Sequence, residues 1–267
     1  MTKAAWSKRR CLRDEHAFFA FGLRAFDHPD VISYHEHLQL EKEIIISIGR
    51  AIIQLIAVGY VLDVIFGLEK PLYTVALILF MIFNAAWNTK KRGEGLTHVT
   101  LISFCALLCG TAVTLAILLL SGAIHFVPAE LIPVSGMVIS NSMVAIGLAY
   151  RNLLTTFRDK QQEVEVKLAL GAPPKLAAHD ILREVIKLSV MPSLDSAKTL
   201  GIESLPGMMT GLILAGTPPL LAIKFQIMVT FMILSAASIA TLLAGYLAYQ
   251  QFFNQRHQLS LPKGGRP

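Results

Sequence analysis

At 267 residues, with 54% hydrophobic and only 16% charged side chains and a mean hydropathy of +0.57, the chain is too apolar for an ordinary water-soluble domain. Much of it must be solvated by lipid. The net charge of +6 would suit nucleic acid, but the basic residues follow a membrane topology, so no nucleic-acid partner is expected; three cysteines supply neither a disulfide framework nor a CxxC metal pair.

Residues 1–40 read as a cytoplasmic N-terminal segment. Its one apolar run, residues 17–21, is followed by Arg24, Asp27, His28 and Asp30, and is too short and too charged to span. No small-residue cleavage pattern marks it as a secretory signal. Residues 41–259 form the transmembrane domain, with apolar stretches at 44–66, 71–87, 99–124, 131–150, 199–216 and 225–249. Each is close to or above the roughly 17–25 residues that cross a bilayer as a helix. The expected class is all-α: a polytopic helical membrane protein of about six transmembrane helices. A barrel would alternate apolar and polar residues, whereas 75–83 and 115–120 are continuously apolar. Cys105 and Cys109, one turn apart in the third stretch, are expected as small core residues. The fifth stretch is interrupted by Glu203, Pro206 and four glycines, which leaves a broken or re-entrant helix as the alternative there.

The long loop between the fourth and fifth stretches covers residues 151–198. Its polar run 159–165 leads into Val166, Leu168 and Leu170; Gly171-Ala-Pro-Pro174 then breaks the helix. A second helix restarts over 176–188, with apolar Leu176, Ile181, Leu182, Val185, Ile186 and Leu188. This predicts a helix–turn–helix on the membrane surface, its apolar face either resting on lipid headgroups or covered by a cytoplasmic partner. Residues 260–267 close the chain as a short cytoplasmic tail.

Basic residues orient the whole. Of 24 Lys and Arg, 21 fall on one set of alternating segments and 2 on the other, while Arg50 lies within a span. Lys and Arg flanking short loops are retained inside, so both termini and the 151–198 loop are expected in the cytoplasm of a multi-pass inner-membrane protein. No Gly-x-x-x-x-Gly-Lys-Ser/Thr phosphate loop occurs in the sequence, and an ATP-driven role therefore requires a separate nucleotide-binding subunit. A single copy with six spans encloses a pathway poorly, which makes a symmetric homodimer the economical arrangement.

Several segments carry a resemblance. Glu165-Val-Lys-Leu-Ala-Leu-Gly171 places an acidic residue six before a glycine and looks like the coupling segment of ABC-transporter permeases. More specific are Asp195-Ser-Ala-Lys-Thr199, Ser204-Leu-Pro-Gly-Met-Met-Thr-Gly211 and Ala222-Ile-Lys-Phe-Gln-Ile-Met-Val-Thr-Phe-Met232. With Gly49-Arg-Ala-Ile-Ile-Gln54, Phe83-Asn-Ala-Ala-Trp-Asn88 and Ile132-Pro-Val-Ser-Gly-Met137, they are closely similar to the FetB family of ABC permeases, which includes bacterial iron exporters and plant aluminium-tolerance permeases. The similarity runs from about Val31 to Leu259. It departs at the front, where family members usually carry an additional apolar helix, giving seven spans. The resemblance implies an iron or other metal exporter with a separate ABC ATPase subunit, docked through Glu165, Leu168, Gly171 and Ala172. The chain itself would be a permease without enzymatic activity or cofactor. The other class kept open is a structural or regulatory membrane subunit that binds a cytoplasmic partner and conducts nothing.

Polar and irregular residues inside the spans are the candidates for a translocation path or gate, because their burial in lipid is costly. They are Asn84 and Asn141, the segment Pro206, Gly207, Met208, Met209 and Gly211, and Gln226. Asn88, Ser140 and Ser142 are polar neighbours, for which helix-to-helix hydrogen bonding is the alternative. Arg50 and Gln54 share a helix face, and Arg50 can equally snorkel to the interface. Pro206 would weaken a helix locally and Gly207-x-x-x-Gly211 would admit a close neighbour, so this stretch is expected to bend or slide, a static kink being the alternative. Met137, Met208, Met209, Met228 and Met232 are softer ligands than iron(II) favours and are expected to fill the core. The eight histidines lie outside the spans or at their ends, with His35 and His37 flanking Glu36 as an interfacial cluster, so no metal ligands are assigned.

Overall fold

The computed structural model describes residues 41–68, 71–93, 95–203, 205–254 and 256–261. Expectations for residues 1–40, for Ser204 and for residues 262–267 lie outside the described residues. The chain is a polytopic helical membrane protein and divides into two units, residues 1–67 and 68–267. The first contributes helix α1 (Glu41–Leu68), 28 residues or roughly 42 Å of helix, ample for a hydrocarbon core of about 30 Å.

The second unit contains α2 (Pro71–Thr89) with a 3-10 turn at Lys90–Arg92, α3 (Val99–Leu120) and α4 (Pro128–Asp159). Next come α5 (Gln161–Ala169), α6 (Pro174–Ala177), α7 (His179–Thr199), α8 (Gly207–Leu214) and α9 (Pro219–Ala248), which ends in a 3-10 turn at Tyr249–Phe252. Proline opens α2, α4, α6 and α9, in the first turn, where a missing N–H removes no intrahelical bond. Among the described residues, α1, α2, α3, α4 and α9 are long and apolar enough to cross a membrane.

Small residues let these helices pack closely. Ala236, Ala240, Ala244 and Ala248 recur every fourth residue of α9, and all are fully buried. A Cβ added to Gly110 of α3 would lie 3.1 Å from the Ala236 carbonyl oxygen and 3.2 Å from the Ala240 Cβ, so glycine there permits near-backbone contact. Lipid offers no hydrophobic drive between helices, and this close van der Waals contact takes its place. Polar groups add a fixed point: Thr89 Oγ1, Ser103 Oγ and Tyr150 OH form a buried chain across α2, α3 and α4, with spacings of 2.7 and 2.9 Å. Thr89 Oγ1 also lies 2.7 Å from the Ala86 carbonyl. One proton per hydroxyl, running from Tyr150 to Ser103 to Thr89 to Ala86, satisfies every member.

These contacts give each helix a direction. The end of α2, the start of α3 and the last part of α4 meet at the hydroxyl chain, and Phe157 of α4 stacks on Phe252 after α9 at 4.2 Å. Hence α2, α4 and α9 run toward the same end of the unit, which also carries α5 and α6, while α3 runs away. Helix α7 runs away too: Lys160 pairs with Glu184, and farther along Asn152 donates to Ser189 Oγ. From Ser189 to Thr199 it therefore climbs roughly 15 Å alongside α4.

The fifth apolar stretch takes the broken form. Leu200 is extended, Gly201 sits at φ +83°, and Pro206, with φ −60° and ψ 144°, is the residue before α8. The fifth apolar stretch is divided between the end of α7 and the separate eight-residue α8. Pro206 thus does not weaken a helix interior as expected; it precedes one, and carries no such penalty. Two further expectations are corrected. Part of the apolar face of the second loop helix is covered by the chain itself, because Ile181, Leu182 and Val185 are buried where α7 packs against α4 and α9, while Leu176 and Leu188 stay exposed. Cys105 and Cys109 are not core residues; both are exposed, on the same stripe of α3 as Leu101, Val113 and Ile117. The core-filling role of the methionines holds for Met232, which is buried, and for Met137, Met208 and Met228, which pack against the core.

Candidate functional site

The end of the unit that carries α5 and α6 is a platform. Helix α5 has one buried side chain, Val164, and is fastened to α7 by ion pairs instead of apolar area. Lys167 Nζ lies 2.8 Å from Glu163 and 2.9 Å from Asp180, and Lys160 Nζ is hydrogen-bonded to Glu184 at 2.6 Å. The Glu163 bond, then that of Asp180, holds the Lys167 ammonium above its ordinary pKa, and both carboxylates are lowered, chiefly by their bonds to Lys167. Helix α5 ends where Gly171 takes φ +87°, a left-handed conformation that glycine adopts freely. The Gly171 and Ala172 amides then donate to Leu168 and Lys167 carbonyls, both at 3.0 Å, and Pro173-Pro174 starts the next helix.

The turn opens onto a cleft of about 770 Å³. Glu165, Leu168, Gly171 and Ala172 all line it, so the four expected coupling residues come together. Glu165 accepts a 2.8 Å hydrogen bond from Gln161. The opposite wall, Arg256, His257, Gln258 and Leu259, was not anticipated. Leucines at 259 and 261 after the turn-former Asn254 were the available signal. Around the cleft Leu170, Val166 and Leu176 are exposed, 83%, 59% and 60% respectively, an apolar rim that nothing in the described chain covers.

The expected path residues are not gathered in this way. Asn84 is exposed on α2, and Asn141 is half-buried on α4 with its amide donating to the Met137 carbonyl at 2.8 Å. On α9, the Gln226 amide reaches Thr230 Oγ1 at 3.4 Å, while its buried Oε1 has no hydrogen-bond partner among the described residues. Gly207 and Gly211 are exposed, with nothing within 4 Å of an added Cβ, so among the described residues the Gly-x-x-x-Gly pair has no close neighbour. Met208 and Met209 are half-buried. Among the described residues no three His, Cys, Asp or Glu gather as a ligand set.

Residues 18–253 match the family model described as an uncharacterised protein family, UPF0014. The chain belongs to this family. It is 52% identical over 229 residues to the probable iron export permease protein FetB of Escherichia coli, covering 86% of this chain and 88% of that one. It is 38% identical to the UPF0014 membrane protein YjkA of Bacillus subtilis, covering 82% and 88%. It is also 35% identical to the protein ALUMINUM SENSITIVE 3 of Arabidopsis thaliana, covering 86% and 84%. No solved structure matches the chain. The description of the Escherichia coli relative as a permease, together with the helical membrane fold, supports a membrane permease, as the resemblance of the motifs implied.

Proposed function

We propose that this chain is the permease subunit of an ABC exporter that moves iron or another metal out of the cytoplasm, driven by a separate ATPase subunit. The observation that carries the reading is the convergence of Glu165, Leu168, Gly171 and Ala172 on one cleft with an uncovered apolar rim. An apolar rim in water calls for a protein cover, and an ATPase docked there would transmit its movement through α7, which joins the platform to the broken fifth crossing. The iron assignment is supported by the Escherichia coli relative, described as a probable iron export permease.

The basic-residue asymmetry supports a cytoplasmic platform and cytoplasmic termini in the inner membrane. A homodimer is supported by the exposed Asn84 within the apolar stretch of α2 and by the open Gly207–Gly211 face, since polar groups facing lipid are costly and a second copy would cover them. The path then runs between copies, bordered by α8. The test is purification from the source membrane: an ABC ATPase is expected to accompany the chain, and its ATP hydrolysis is expected to depend on it. Recovery of the chain with an ATPase whose hydrolysis ignores it would favour the non-conducting subunit instead.

A further inference from the structure

The C-terminal turn forms half of the platform cleft. The chain leaves α9 through Phe252, stacked on Phe157, and Phe253 meets the same ring edge-on with centroids 6.1 Å apart. It then reverses: Phe253 and Leu259 pair as an antiparallel bridge, and the Ser260 amide donates to the Phe252 carbonyl at 2.8 Å. Asn254 Oδ1 accepts from the Arg256 and Gln258 amides, both at 2.9 Å, and His257 takes the left-handed φ of +57°. Leu259 and Leu261 pack against the core. Ring stacking, a side-chain-capped turn and two apolar anchors fix this segment against the end of α4.

What the turn presents is Arg256. The neighbouring cations Lys160 and Lys167 are paired with carboxylates of α5 and α7, whereas the Arg256 guanidinium has no ion-pair partner among the described residues. Glu165, the acid on the facing wall, is bonded to Gln161. An arginine held at the mouth of a cleft walled by Leu168, Ala172 and Leu259 offers a planar fork for a carboxylate, beside apolar walls for the group that follows it.

We propose that Arg256 is a docking residue for the ATPase subunit, pairing with an ATPase carboxylate while an apolar ATPase side chain enters the cleft between Leu168 and Leu259. This rests on the docking reading above. The test is binding of the ABC ATPase that co-purifies with the wild-type chain to proteoliposomes carrying wild-type, Arg256→Glu, Arg256→Lys or Leu168→Asp permease. Arg256→Glu is expected to weaken binding about tenfold or more, Arg256→Lys less, with the difference shrinking at high salt; Leu168→Asp is expected to abolish binding. If Leu168→Asp abolishes binding while Arg256→Glu binds like wild type, the platform stands and the role of Arg256 is overturned. If neither variant changes binding, docking lies elsewhere and both readings fall. The exposed Arg256 side chain makes no hydrogen bond or ion pair with the described residues, so folding should survive; should Arg256→Glu not fold, wild-type affinity in Arg256→Gln overturns the proposal.

Discussion

Ser103 is the middle of the buried hydroxyl chain, and its position there sets unequal consequences for its neighbours. Tyr150→Phe removes only the terminal donor, at about 1 kcal/mol, whereas Ser103→Ala strands the Tyr150 hydroxyl inside the bundle, at about 1–3 kcal/mol. Equilibrium unfolding in detergent should therefore rank Ser103→Ala below Tyr150→Phe, and the double variant should lose less than the sum. A second residue-scale expectation concerns pH. Glu163 and Asp180 have lowered native pKa values, so the stabilisation they bring is complete above the ordinary carboxylate range and is lost as pH falls through the lowered values, below about pH 4. Lys167 is raised, so its share is complete below its ordinary pKa and is lost as pH rises through the raised one, above about pH 10.5. The protection of the α5 amides, measured relative to their intrinsic exchange rates, should stay level between these limits and fall beyond both, and Lys167→Ala should weaken that dependence. Residue roles were unevenly legible: Glu165 and Gly171 stood out by their spacing, while Arg256 depends on the Phe157–Phe252 stack, formed across a long sequence separation. The exposure of Cys105 and Cys109 was hidden because a lipid-facing stripe is as apolar as a core-facing one.

At the scale of elements, the spans were readable because lipid demands continuous apolar helix, and the boundaries of α2 and α3 fall close to the hydropathy limits. Hydropathy did not tell that the stretch 199–216 divides between the end of α7 and a separate α8, because an average over the window smooths out the breaks at Gly201 and Pro206. Two glycines test these elements. Gly171→Val must hold a branched side chain at φ +87°, at a cost of at least about 1–2 kcal/mol from the backbone alone, since open space surrounds its Cβ. ATPase binding and transport should fall together while insertion survives; a variant that keeps both would show that the turn is not a docking element. Gly207→Leu also adds its side chain into open space, so the folded chain and ATPase binding should be unchanged. Export should nevertheless be lost if this face of α8 moves against a second copy or lines the path. Normal export from that variant would remove α8 from the gate.

At the scale of the whole molecule, a polytopic helical membrane fold carries at one end a platform of α5, α6 and the C-terminal turn, the proposed docking surface for an ATPase on another chain. Family membership was legible from motifs scattered along the chain, whereas the substrate was not, since no polar cluster among the described residues forms a metal-ligand set. A permease that only passes metal can hold it weakly, through groups contributed by two copies. Metal export by this chain is read out by the iron content of iron-loaded cells with and without it. Cells lacking it should retain more iron, and the wild-type chain should restore efflux while Gly207→Leu should not. Equal iron content and equal efflux rates in the two strains would show that the chain does not export iron.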